Sequence, residues 1–110
     1  CGLAQLYAFR YGTIPIVRAT GGLVDTVVNV SDQTCADGTA SGIVFDAFEP
    51  ATLEAAVRQA IDAHGNTKLW QDLIRSVMQQ DWSWDVSARK YQEVYSRALA
   101  NAPVDVVDVR

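Results

Sequence analysis

With 110 residues, 49% apolar and 20% charged, the chain suits one small globular domain and excludes collagen, coiled coil and bulk disorder. Nine Lys and Arg stand against thirteen Asp and Glu, a net charge of −4. The basic residues are scattered apart from Arg89-Lys90, so the basic stripe of a nucleic-acid binder is missing and no nucleic-acid partner is expected. The longest uncharged stretch, Cys1 to Phe9, falls far short of the roughly 20 apolar residues that cross a bilayer, and no membrane partner is expected. Cys1 and Cys35 make no disulfide framework, which fits a reducing, cytoplasmic setting. The chain opens at Cys1, without a Met and inside a structured motif, and reads as a piece of a longer protein. Asn29-Val30-Ser31 matches a glycosylation sequon and is set aside for want of secretory context.

Four stretches carry helical periodicity. The spacing predicts a helix from Gly2 to Tyr11, with Leu3, Leu6 and Tyr7 on one face and Gly12 as the stop. A second runs from Pro50, suited to a first turn, to His64. Leu53, Ala56, Val57, Ala60, Ile61 and His64 form its apolar face, and Gly65 ends it. Glu54, Arg58 and Asp62 line its wet side four apart. A third begins at Thr67 as N-cap and carries Leu69, Trp70, Leu73, Ile74, Val77 and Met78. The fourth starts near Ser83 or Asp85 and ends near Ala100, with Trp84, Ala88, Tyr91, Tyr95, Ala98 and Leu99 on one face.

Ile14 to Val17 and Ile43 to Phe45 read as strands. They do not alternate with polar residues, as expected of parallel strands covered on both faces. Pro15 cannot donate to a ladder and belongs at a strand end or edge. Leu23 to Val30 fits either a helical turn or an extended segment, and Ser31 to Ser41 reads as a polar loop. The order makes an α/β class: the C-terminal part of a Rossmann-like domain, parallel strands with flanking helices, incomplete as it stands.

Chemistry is concentrated in Cys1 to Thr26. A helix N-terminus presents backbone N–H groups without intrahelical partners, at the positive end of the dipole. Cys1, Gly2, Leu3 and Ala4 would supply them, with no side chain on Gly2 to obstruct a ligand. Such a start suits a phosphate or a sugar hydroxyl. The next strand leads into Thr20-Gly21-Gly22 at its C-terminal end, the edge where open α/β sheets bind ligands. Taken alone, both features are also those of an ordinary helix start and an ordinary loop.

Cys1-Gly2-Leu3, Gln5-Leu6-Tyr7, Arg10-Tyr11-Gly12, Pro15, Arg18, Thr20-Gly21-Gly22-Leu23 and Asp25-Thr26 together resemble the sugar-nucleotide half of bacterial glycogen synthases and plant starch synthases, retaining glucosyltransferases of the two-Rossmann-domain (GT-B) type. Gly42-Ile43-Val44-Phe45 is similar to the family's Gly-Phe-x-Phe strand. Asp81-Trp82-Ser83-Trp84, with Ser87-Ala88 and Tyr91, is similar to its final Phe-Ser-Trp helix. The resemblance covers residues 1–100, as the C-terminal portion of the sugar-nucleotide-binding domain with its final helices. Residues 101–110 match nothing in the family and are expected to form a loose tail.

The resemblance implies transfer of glucose from ADP-glucose to the non-reducing end of an α-1,4-glucan, with retention. It implies that Cys1, Gly2, Leu3 and the backbone of Ala4 meet the donor glucose and diphosphate. Ala4 stands where many relatives have Thr, which removes a hydroxyl and keeps the amide. The motif's Glu-Pro, the Lys and Arg that neutralise the diphosphate, and the glucan-binding first domain would all lie before Cys1. No catalytic residue is therefore expected within these 110 residues, and the isolated chain is expected to be inactive. The expected site comprises Cys1, Gly2, Leu3, Ala4, Tyr7, Thr20, Gly21 and Gly22, with a cytoplasmic location, or a plastid in a plant.

Other readings of these residues are blander. Two Cys and one His show no zinc spacing, and no metal or cofactor is expected. Cys1 has no paired base to make it a nucleophile. His64 suits a helix C-terminus. Trp70, Trp82 and Trp84 fit core packing better than sugar stacking. Tyr7 fits a ribose contact or the core equally. Arg18 and Asp25 either pair across the glycine turn or are solvated. The competing functions are another GT-B glycosyltransferase using a different nucleotide sugar, and a non-catalytic Rossmann piece. The Cys-Gly-Leu and Arg-x-Thr-Gly-Gly-Leu pair argues against the first.

Overall fold

Two short β-branched runs, Ile16–Arg18 (β1) and Ile43–Phe45 (β2), pair in parallel, with Ile16 opposite Ile43 and Arg18 opposite Phe45. The computed structural model describes residues 2–101. The readings for Cys1 and for the tail beyond Asn101 lie outside those residues. Helices follow in the order Leu3–Arg10 (α1, before β1), Leu23–Thr26 (α2), Asp32–Ala36 (α3, before β2), Pro50–Gly65 (α4), Thr67–Gln79 (α5) and Trp84–Ala100 (α6). The expected parallel pair flanked by helices is present.

β1 starts later than its apolar run suggests. Pro15 lies just outside the strand, where its carbonyl accepts the Ile43 N–H (2.9 Å) and its missing donor costs nothing. Each face of the pair is covered. Ile16, Ile43 and Phe45 pack with Val30, Ala40, Ala56 and Leu73, whereas Val17 and Val44 pack with Phe9, Val27 and Val77. Helix α5 serves both clusters, through Leu73 and Val77.

The ambiguous Leu23–Val30 stretch resolves into both alternatives, one helical turn and then an extended segment beside β2. Val30 N–H donates to the Gly42 carbonyl (2.9 Å), and Asn29 pairs with Gly42 as an isolated parallel bridge. The Asn29 side chain continues the ladder: its Oδ1 accepts the Val44 N–H (2.9 Å). Buried Ser41 closes the other end by accepting the Val28 N–H (2.8 Å).

The polar loop expected at 31–41 contains α3. Ser31 and Thr34 form a reciprocal capping box, a local hydrogen-bonding solution that apolar periodicity cannot reveal. The α5 N-cap is Asn66 rather than Thr67: Asn66 Oδ1 accepts the Leu69 N–H (3.1 Å) and Thr67 is the first helical residue. Helix α4 starts at Pro50 as expected and ends at Gly65, one residue beyond His64, and its buried residues are Ala56 and Ala63. Leu53, Val57, Ile61 and His64 lie exposed. His64 meets Trp70 edge to face, with ring centroids 5.1 Å apart.

The chain divides into two compact units, Cys1–Gln80 and Asp81–Arg110. In the second, Asp81 Oδ1 accepts the Ser83 N–H (2.9 Å) ahead of α6. Hydrogen bonds from Ser83 hold the Asp81 carboxyl below its usual pKa. Within this second unit Trp84, Tyr91, Tyr95 and Leu99 lie on the surface of α6. Among the described residues, no helix is long and apolar enough to cross a membrane.

Candidate functional site

Gly2, the N-cap of α1, adopts φ +61°, a left-handed conformation that strains any residue with a Cβ. A Cβ there would also approach Gln5 Nε2 to 3.0 Å. Glycine is therefore required by the chain itself, a constraint invisible in its spacing. No side chain caps the turn, which leaves the first amides of α1 to the dipole's positive end.

The face expected for α1 is corrected. Its buried residues are Gln5 and Phe9, four apart, with Leu6 half-buried. Leu3 and Tyr7 are exposed, so the core alternative for Tyr7 is set aside. Phe9 determines this orientation by packing against Val27 and Val77. Gly12 stops the helix at φ +71°, close under Ile74 and Met78 of α5.

The second half of the site follows β1. Ala19 N–H donates to the Phe45 carbonyl (2.7 Å), carrying the ladder to the C-terminal edge. The chain then turns through Thr20, Gly21 and Gly22 into α2, with Leu23 N–H on the Thr20 carbonyl (3.2 Å). Gly21 needs its φ of +50°; Gly22, at φ −65°, does not. A Cβ on either would meet nothing within 4 Å. All three residues are exposed.

The structure ties the two halves together. Gln5, 6% exposed, donates from Nε2 to Thr26 Oγ1 (3.1 Å), and that hydroxyl donates to the Gly22 carbonyl (2.9 Å). Gln5 was in the motif but not among the expected site residues. A polar residue amid apolar ones was the available signal, and its partner 21 residues away was not visible. Arg18 does not pair with Asp25. Its Nε donates to the Asp46 carbonyl (3.0 Å) and its guanidinium lies 5.3 Å from the centre of the Phe48 ring, joining the exits of β1 and β2.

A cleft of about 260 Å³ opens between α3 and α5, where the chain enters β2 and away from the glycine turn. Its polar groups are engaged with one another. Asp72 accepts from Lys68 and Arg75 (2.8 Å each), and Ser76 Oγ donates to the Gly38 carbonyl (2.9 Å). The hydrogen bond and charge of Lys68, then those of Arg75, lower the Asp72 pKa. Among the described residues, no cluster of His, Cys, Asp and Glu could hold a metal ion.

The fold is that of a segment from a GT-B glycosyltransferase catalytic domain. It matches the catalytic domain of starch synthase IV from Arabidopsis thaliana, a structure bound to ADP and acarbose, with a TM-score of 0.76 and 37% identity over 91% of this chain and 20% of that one. Curated relatives are a glycogen synthase from Nitrosomonas eutropha, 48% identical over 96 residues, and one from Serratia proteamaculans, 45% identical over 97. These cover 87% and 88% of this chain. Over this segment the chain belongs to the glycogen synthase and starch synthase family. It spans about a fifth of the length of the curated relatives it matches. No family model matches.

Proposed function

We propose that the chain is the donor-binding part of a glucosyltransferase that moves glucose from ADP-glucose to the non-reducing end of an α-1,4-glucan, with retention. The observation that carries this reading is the Gln5–Thr26 link, which holds a glycine-started helix and a glycine turn together at the C-terminal end of parallel strands. Two sets of backbone amides so placed suit a diphosphate. The leaving diphosphate gains charge as the sugar–oxygen bond breaks, and fixed amide dipoles meet that charge without reorganising.

In this reading Cys1, Gly2, Leu3 and Ala4 belong to the donor site, the last three through their backbone, and Thr20, Gly21 and Gly22 complete it. In the same reading exposed Tyr7, one helical turn after Leu3, contacts the donor's ribose. ADP in the Arabidopsis neighbour supports an adenosine diphosphate leaving group. Acarbose in the same structure supports a glucan-like acceptor. With about a fifth of the curated relatives' length, the 110 residues alone are expected to transfer no glucose.

The test is transfer onto glycogen by the full-length protein, with labelled ADP-glucose and UDP-glucose in parallel. Label should pass from ADP-glucose into α-1,4 linkages, resolved by proton NMR of the product. Preference for UDP-glucose would overturn the donor, β-linked product would overturn retention, and absence of transfer from either would overturn the reading.

A further inference from the structure

Gln5 is a buried amide on the helix that starts the candidate site, and it donates to Thr26, the last residue of the one-turn helix that follows the glycine turn. The direction of each bond is determined by chemistry. Thr26 gives its single proton to the Gly22 carbonyl (2.9 Å), which leaves its oxygen to accept. The Gln5 atom facing it at 3.1 Å must then be the amide nitrogen. The same nitrogen lies 3.0 Å from where a Cβ on Gly2 would sit, so glycine at position 2 makes room for the carboxamide. One side chain thereby gauges the separation of the α1 start from the Gly21–Gly22 turn. Neither α1 nor α2 has a side-chain cap to do so.

We propose that Gln5, acting through Thr26, is a positioning residue that sets the spacing between these two groups of backbone amides to fit the diphosphate of a nucleoside diphosphate sugar. This rests on the donor-site reading above and deepens it. Gln5 touches neither sugar nor phosphate. Thr26 holds the Gly22 carbonyl, and Gln5 holds Thr26 against α1, so that the turn keeps one position relative to the helix start. Without the relay the turn remains covalently in place but samples other orientations, and the donor must select among them.

The experiment compares Gln5→Leu, Thr26→Val, their double variant and Thr26→Ser in the full-length protein. It measures melting temperature, KM for ADP-glucose, KM for glycogen, and ADP binding by titration calorimetry. Gln5→Leu and Thr26→Val should each raise the donor KM and the ADP Kd about tenfold, with the glycogen KM unchanged. The double variant should be no worse than either single one, because both break the same relay. Thr26→Ser keeps the hydroxyl and should restore parental donor affinity. Gln5→Leu with a lowered melting temperature but parental donor KM would make Gln5 merely structural and overturn the proposal. So would additive losses in the double variant. If the parent itself neither binds ADP nor transfers glucose, the donor-site reading fails and the proposal with it. If the parent does both and the variants match it in donor KM and ADP Kd, the proposal alone fails.

Discussion

Gly22→Ala separates a ligand's needs from the chain's. At φ −65° and ψ −7° the backbone of Gly22 is ordinary for alanine, and the added methyl meets nothing within 4 Å. Loss of unfolded-chain freedom favours alanine by roughly 0.4–1 kcal/mol, while alanine at an N-cap costs a similar amount. The net change in stability should stay under about 1 kcal/mol, a melting shift of a few degrees for a small domain. A bound diphosphate meets a different molecule. On the proposed donor-site reading, a methyl group in the space beside the turn would displace a phosphate oxygen from its amides, and each charge-assisted bond lost is worth roughly 1.5–3 kcal/mol. The donor KM should therefore rise at least about tenfold, since about 1.4 kcal/mol is a factor of ten. Gly21→Ala is the control for backbone strain: its φ of +50° should cost roughly 1–2 kcal/mol whether or not a ligand binds. Steady-state kinetics with ADP-glucose at saturating glycogen, beside thermal melts of both variants, reads out the two effects. An unchanged donor KM in Gly22→Ala would refute the glycine turn as part of the donor site.

Gly42→Ala should destabilise by about 1–3 kcal/mol or more in urea titrations, because its Cβ would meet Val27 Cγ1 at 2.5 Å and the Pro15 carbonyl at 2.8 Å. Asn29→Ala removes the acceptor of the Val44 N–H and should cost about 0.5–1.5 kcal/mol, whereas Asn29→Asp keeps an acceptor and should cost less; equal losses in the same titrations would dismiss the side-chain ladder. The depressed pKa of Asp72 means that its pairing with Lys68 and Arg75 stabilises above the unfolded value near 3.8 and is lost as pH falls through the lower folded value. Melting curves below about pH 4 should therefore lose a small, salt-sensitive increment that Asp72→Asn lacks at every pH; a pair effect that grows on acidification would contradict the sign.

Some of this protein was already determined by its sequence. Helical periodicity places α4 within a residue, since Pro50 and Gly65 punctuate it locally. Gly12 ends α1 where a left-handed residue was needed, and uninterrupted Ile-Val runs become a parallel pair. These features arise from short-range sterics and from the cost of exposing apolar runs, which a stretch of chain carries with it. The side of a helix that turns inward is different. Leu53, Val57 and Ile61 have the greater hydrophobicity, yet Ala56 and Ala63 are the buried residues of α4, because the inward side of a helix is decided by the elements packed against it. The capping box of α3, the Asn29 ladder bond and the Arg18 bond to Asp46 rest on hydrogen bonds whose direction is decided by folded geometry. The glycines show the division most clearly. Sequence marks Gly2, Gly21, Gly22 and Gly42 alike, whereas the fold needs Gly2 and Gly21 for positive φ, Gly42 for close packing, and Gly22 for neither. Only the assembled chain brings Gln5 to Thr26, 21 positions apart, so only tertiary structure joins a helix start and a glycine turn into one site.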